Sequence, residues 1–113
     1  MTYEQISTMI NSMGYPYAYY QFKKDPENPP PPPPFICFYY PNDDDFKADN
    51  THYARINTLV VELYTDEKDF DKETAVEAVL LSNEMVFDKT ETYIDSENMY
   101  QITYTMEVVI NAE

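Results

Sequence analysis

The stretch Tyr100-Gln-Ile-Thr-Tyr-Thr-Met-Glu-Val-Val-Ile110 decides the fold class. Tyr100, Ile102, Tyr104, Met106, Val108 and Ile110 alternate with Gln101, Thr103, Thr105 and Glu107. Successive side chains of a strand point to opposite faces, so this period of two predicts a long strand with one face buried. Its natural partners lie upstream. Tyr53 to Tyr64 reads as a second long strand, with Leu59, Val61 and Leu63 on one face and Thr58, Val60, Glu62 and Tyr64 on the other. Phe35 to Tyr40 is apolar on both faces, as in a covered central strand, and Pro41 ends it. Met85 to Ile94 is a further strand, charged at several positions, and the polar turn Asp95-Ser-Glu-Asn98 joins it to the last one. Tyr17 to Phe22 is an aromatic first strand.

Two segments carry helical spacing instead. Thr2 and Gln5 form a capping box, and Ile6, Met9, Ile10 and Met13 make one stripe. Gly14, the single glycine, follows the last apolar position as a left-handed stop. The second helix is predicted to start at Asp71 as N-cap and to end near Asn83. It presents Val76, Val79 and Leu80, with Ala75, Ala78 and Leu81 widening the stripe. The order α-β-β-β-α-β-β predicts one α+β domain over residues 1–113, a mainly antiparallel sheet with both helices on one face. Two irregular segments interrupt it: a proline-rich connector, 24–34, and an acidic loop, 42–50.

Composition narrows the function. The chain has 113 residues, 12 Tyr, 6 Phe and no Trp; 21 Asp and Glu against 7 Lys and Arg give a net charge of −14. Such a surface has no basic footprint for phosphates, which argues against binding to nucleic acid or to an anionic membrane. No apolar run approaches the roughly 20 residues of a membrane-spanning helix, and the polar start is unlike a signal peptide. The expectation is a soluble protein, cytosolic when made. A single cysteine, Cys37, excludes an internal disulfide and reads as a small buried hydrophobe among aromatic neighbours.

Equipment for catalysis is sparse. One glycine makes no phosphate loop, and His52 with Cys37 falls short of the roughly four ligands of a zinc site. His52 has no nucleophile at a diagnostic spacing. Asp43, Asp44, Asp45 and Asp49 resemble a calcium loop only superficially, because the turn position holds Ala48 and no Glu closes the loop. No catalytic residue, metal or cofactor is therefore assigned. Pro29 to Pro34 forms a polyproline II segment with no backbone donors. It reads as a stiff connector rather than a ligand for a peptide-binding module, since the nearest flanking charges are Asp25 and Glu27. The strand tyrosines outnumber what one small core can hide with every hydroxyl satisfied. Either one sheet face is wet and aromatic, or part of it is an interface.

The proline run ahead of Phe35-Ile-Cys-Phe-Tyr-Tyr40, the Leu59-Val-Val-Glu-Leu-Tyr-Thr-Asp66 segment and the closing Glu91-Thr-Tyr-Ile-Asp-Ser-Glu-Asn-Met-Tyr100 resemble small neck proteins of long-tailed phages and prophages of Gram-positive bacteria. The nearest type is the tail terminator, or tail-completion protein. That resemblance implies a non-enzymatic α+β protein of the virion, assembled in the host cytoplasm as a hexameric ring. The ring caps the tail tube, stops its polymerisation and offers the surface to which the head–tail connector attaches. DNA would pass through it without specific binding. On this view Asp43, Asp44, Asp45 and Asp49 face the channel, and Pro29, Pro30, Pro31, Pro32, Pro33, Pro34, Tyr100 and Tyr104 serve assembly. The alternatives are a head-completion or stopper protein of the same neck, or a proline-rich adaptor.

Overall fold

The computed structural model describes residues 1–23, 25–41, 43–44 and 54–111. Its centre is the pairing of β4 (Ala54–Thr65) with β6 (Met99–Asn111), antiparallel from Ala54 opposite Asn111 to Thr65 opposite Tyr100. β5 (Phe87–Ile94) flanks β6, and β2 (Phe35–Tyr39) flanks β4, both antiparallel. β1 (Tyr17–Tyr19) adds to β2 in parallel, so the order is β1-β2-β4-β6-β5. The α+β class, the antiparallel character and the sequence order of the major elements follow the sequence expectation. β3 (Asp43–Asp44) is an addition: its backbone pairs with Asn57 and Ile56, continuing the β2 side of β4.

Register sorts the side chains into two faces. Ile36 and Phe38 lie opposite Leu63 and Val61, which lie opposite Ile102 and Tyr104. Leu59 faces Met106 in the same layer. Both helices seal this face. From α1 (Tyr3–Asn11) come Ile6, Met9 and Ile10, and from α2 (Phe70–Ser82) come Val76 and Leu80, all in one core with the strand residues. The α1 capping box forms as predicted: the Thr2 hydroxyl accepts from the Gln5 N–H at 3.1 Å, and the Thr2 N–H donates to the Gln5 side chain at 2.8 Å. Gly14 sits at φ 87°, the left-handed region that a side chain rarely adopts.

Several boundaries differ from the sequence reading: β5 begins at Phe87 rather than Met85, β2 ends at Tyr39 rather than Tyr40, and two further shifts have local causes. The N-cap of α2 is Asp69, not Asp71: Asp69 Oδ1 accepts from the Lys72 N–H at 3.0 Å. Glu73, three and seven residues before Val76 and Leu80, lies on the buried stripe with them, while Ala75, Ala78 and Leu81, expected to widen that stripe, face solvent. The first strand stops at Tyr19 rather than Phe22. Tyr20 takes φ 69°, and its N–H donates to the Phe38 carbonyl at 2.8 Å, turning the chain out of the ladder.

Candidate functional site

The second face of the sheet carries Phe35, Cys37 and Tyr39 from β2, Val60, Glu62 and Tyr64 from β4, and Gln101, Thr103 and Thr105 from β6. Neither α1 nor α2 packs on it. Tyr20, Gln21, Phe22 and Pro30 of the connecting segment approach it from one side, and Ile94, Glu97 and Met99 from the other. Together they bound an open groove of about 520 Å³. Its rings are layered: Phe35 stacks on Tyr64 at 4.7 Å, Phe22 meets Phe35 edge-on at 5.4 Å, and Tyr20 lies 5.0 Å from Tyr39.

At the floor of this groove stands Glu62, nine-tenths buried and opposite Cys37. Its Oε1 accepts from the Tyr64 hydroxyl at 2.9 Å and its Oε2 from the Tyr39 hydroxyl at 3.3 Å. The Gln101 amide donates to the Tyr64 oxygen at 2.8 Å, completing a relay. Burial and then the Glu62 carboxylate push both phenols above their ordinary value. They remain donors across the physiological range. Burial raises the Cys37 thiol to about 11, with Glu62 adding to the effect, so this cysteine is protonated and unreactive.

The helix-covered face has its own charged cluster. Glu73 is buried between Lys68 at 2.6 Å and Lys89 at 2.9 Å; Lys68 also bonds Glu91, and Lys89 reaches Glu77 at 2.7 Å. Burial alone would raise the Glu73 carboxyl, but the two ammonium groups outweigh it and hold the group below its ordinary value. Tyr104 belongs to this cluster. It is fully buried, its hydroxyl donates to Glu77 at 2.7 Å, and its ring meets Phe87 edge-on. The expectation that Tyr104 serves an assembly surface is therefore corrected: the alternation places it with Ile102 and Met106, facing the helices.

The other sequence-derived candidates are scattered. Tyr100 is half-buried against Tyr93, at the end of the sheet remote from β3. Pro29, Pro30 and Pro32 are exposed, and Pro31, Pro33 and Pro34 are half-buried. Of the acidic segment, Asp43 and Asp44 contribute backbone to β3, while Asp45 and Asp49, like His52, lie outside the described residues. Tyr3, Tyr17, Tyr19, Tyr20 and Tyr93 are exposed, so the surplus of tyrosine does lie at the surface. Among the described residues no three His, Cys, Asp or Glu side chains converge as metal ligands, and no helix is long and apolar enough to cross a membrane. Glu62 and Glu73 were not singled out from the sequence. The signal for Glu62 was its parity with Tyr64 on a strand whose opposite face carries Leu59, Val61 and Leu63.

No protein-family model matches the sequence, and no curated protein matches it. Among solved structures, the chain is similar to one from the virion of a native gene transfer agent (GTA) particle. The identity is 14%, the match covers 97% of this chain and 91% of that one, and the TM-score is 0.60. At that identity the likeness is one of fold, extending over nearly the whole of both chains.

Proposed function

We propose that this chain is a non-enzymatic virion assembly protein of a phage or phage-like particle, acting as a tail terminator. The observation that carries the reading is the fold likeness, over almost its full length, to a chain of a gene transfer agent virion. The resemblance to phage neck proteins supports it independently. A charge of −14 and five exposed tyrosines among the described residues suit a protein that assembles with others and does not hold DNA. In this proposal copies of the chain form a hexameric ring on the head-proximal end of the tail tube. The ring ends tube growth and receives the head–tail connector. Asp43, Asp44, Asp45 and Asp49 face the channel, where like charge keeps phosphates from adhering over a Debye length of about 8–10 Å. Pro29 to Pro34 and Tyr100 form contacts between neighbours, the rigid proline segment losing little entropy on docking.

Electron microscopy of particles made without this gene tests the reading. Overlong tubes beside separate, DNA-filled heads are the expected result. Tubes of normal length beside heads that have lost their DNA would overturn it in favour of a stopper at the connector. Intact infectious particles would remove the chain from neck assembly altogether.

A further inference from the structure

Glu62 is a nine-tenths buried carboxylate with no cation beside it among the described residues. Elsewhere in the fold the other deeply buried carboxylate, Glu73, holds two lysines. The contrast is informative because a buried charge is costly unless it is paired as well as hydrogen-bonded. The phenols of Tyr39 and Tyr64 hydrogen-bond Glu62 but do not neutralise it. Each carboxylate oxygen accepts one described hydrogen bond and has a second lone pair to offer. Around it are ring faces, Phe35 stacked on Tyr64 and Tyr20 against Tyr39, and the space above them is an open groove. Glu97 adds a second carboxylate at the groove margin.

We infer that this groove is a docking site for an arginine side chain carried by a partner protein, with its guanidinium on Glu62 and its plane against the aromatic rings. Guanidinium fits the chemistry better than ammonium. Its flat fork matches a carboxylate edge, it stacks on rings, and it gives up its hydration more readily. Complementarity of charge points to a partner and not to a second copy. This chain has three times as many acids as bases and a single arginine, Arg55, which β4 pairs with Ile110 near the far end of the sheet. The bounding segments come from the 20–34 connection and the β5–β6 turn, so the partner would enter between them.

The test uses the whole chain and N-acetyl-arginine amide as probe, followed by NMR, with N-acetyl-citrulline amide as its neutral match. Binding on the order of 1 mM is expected for so small a ligand. Shifts should be confined to Tyr39, Tyr64, Cys37 and Gln101, should weaken with salt, and should be absent with citrulline. Glu62→Gln should weaken binding by about tenfold or more, as expected when a charged hydrogen-bonding partner is lost. Tyr64→Phe keeps the carboxylate but removes its orienting donor, and should weaken binding less. It serves as the folded reference should Glu62→Gln lose its native spectrum. Equal shifts from citrulline, shifts spread over the exposed acids, or no shifts at all would each overturn the assignment. The same holds if spermine, a flexible polyamine without a guanidinium, produces the groove shifts more strongly than the arginine probe. Because the isolated chain is used, this outcome is independent of the gene-deletion experiment.

Discussion

Glu73→Gln keeps the size of a fully buried side chain and removes only its charge. Truncating one partner of a buried ion pair costs about 3–5 kcal/mol when the other charge is left uncompensated. Here the loss is smaller, because Lys68 retains Glu91 and Lys89 retains Glu77, and the lysine side chains are 24% and 37% exposed. About 2–3 kcal/mol is expected at pH 7. In a domain of this size that lowers Tm by about 6–15 °C. Urea unfolding followed by tyrosine fluorescence measures it without interference from Trp, which the chain lacks. The pH dependence sharpens the test. The Glu73 carboxyl lies below its ordinary value in the folded state, so the unfolded chain takes up the proton first as pH falls. The stability it contributes is complete above the unfolded value of about 4.3 and disappears as pH drops through the folded one. The gap between wild type and variant should therefore narrow below about pH 4. A difference under about 0.5 kcal/mol at pH 7, or one that stays constant with pH, would refute the reasoning.

Three further outcomes follow from other parts of the fold. Tyr104→Phe removes the hydroxyl that bonds Glu77 and should cost about 1 kcal/mol by urea unfolding while leaving assembly intact; lost assembly at unchanged stability would return Tyr104 to a surface role. Thr2→Ala deletes the α1 cap and should also cost about 1 kcal/mol, whereas Thr2→Ser should cost little. Cys37 should react with a thiol reagent at pH 7 only as fast as the protein unfolds, and labelling of the native chain at the rate of a free thiol would contradict its burial.

What the sequence made legible was local. The period of two in 100–110 reports one buried face whatever its partners, and Thr2 with Gln5 and Gly14 bound α1 by chemistry confined to a single turn. The start of α2 was harder because Asp66, Asp69 and Asp71 are all cap-forming residues ahead of the same stripe. The burial of Glu73 was not legible either, because a carboxylate joins an apolar stripe only where Lys68 and Lys89 meet it, and Lys89 lies 16 residues along the chain. The burial of Tyr104 is hidden in the sequence for a related reason. A tyrosine is apolar by ring and polar by tip, and only Glu77, from a different element, decides that the tip can be buried. The groove around Glu62 was hidden more deeply, since it needs β2, β4, β6 and the connection at 20–34 brought together. No spacing within one segment encodes that.

The place of β6 has a consequence for how the chain matures. It follows every other described strand in sequence, yet it lies inside the sheet, with β4 on one side and β5 on the other. On the side away from β2, residues 54–65 pair with 100–111, some 35–57 positions later along the chain. On a ribosome, α1 and the apolar face of β4 would stay partly uncovered until residues 99–111 emerged. A nascent chain halted before Met99 can pair β1, β2 and β4 but cannot join β5 to them, because what is missing is the middle and not the margin.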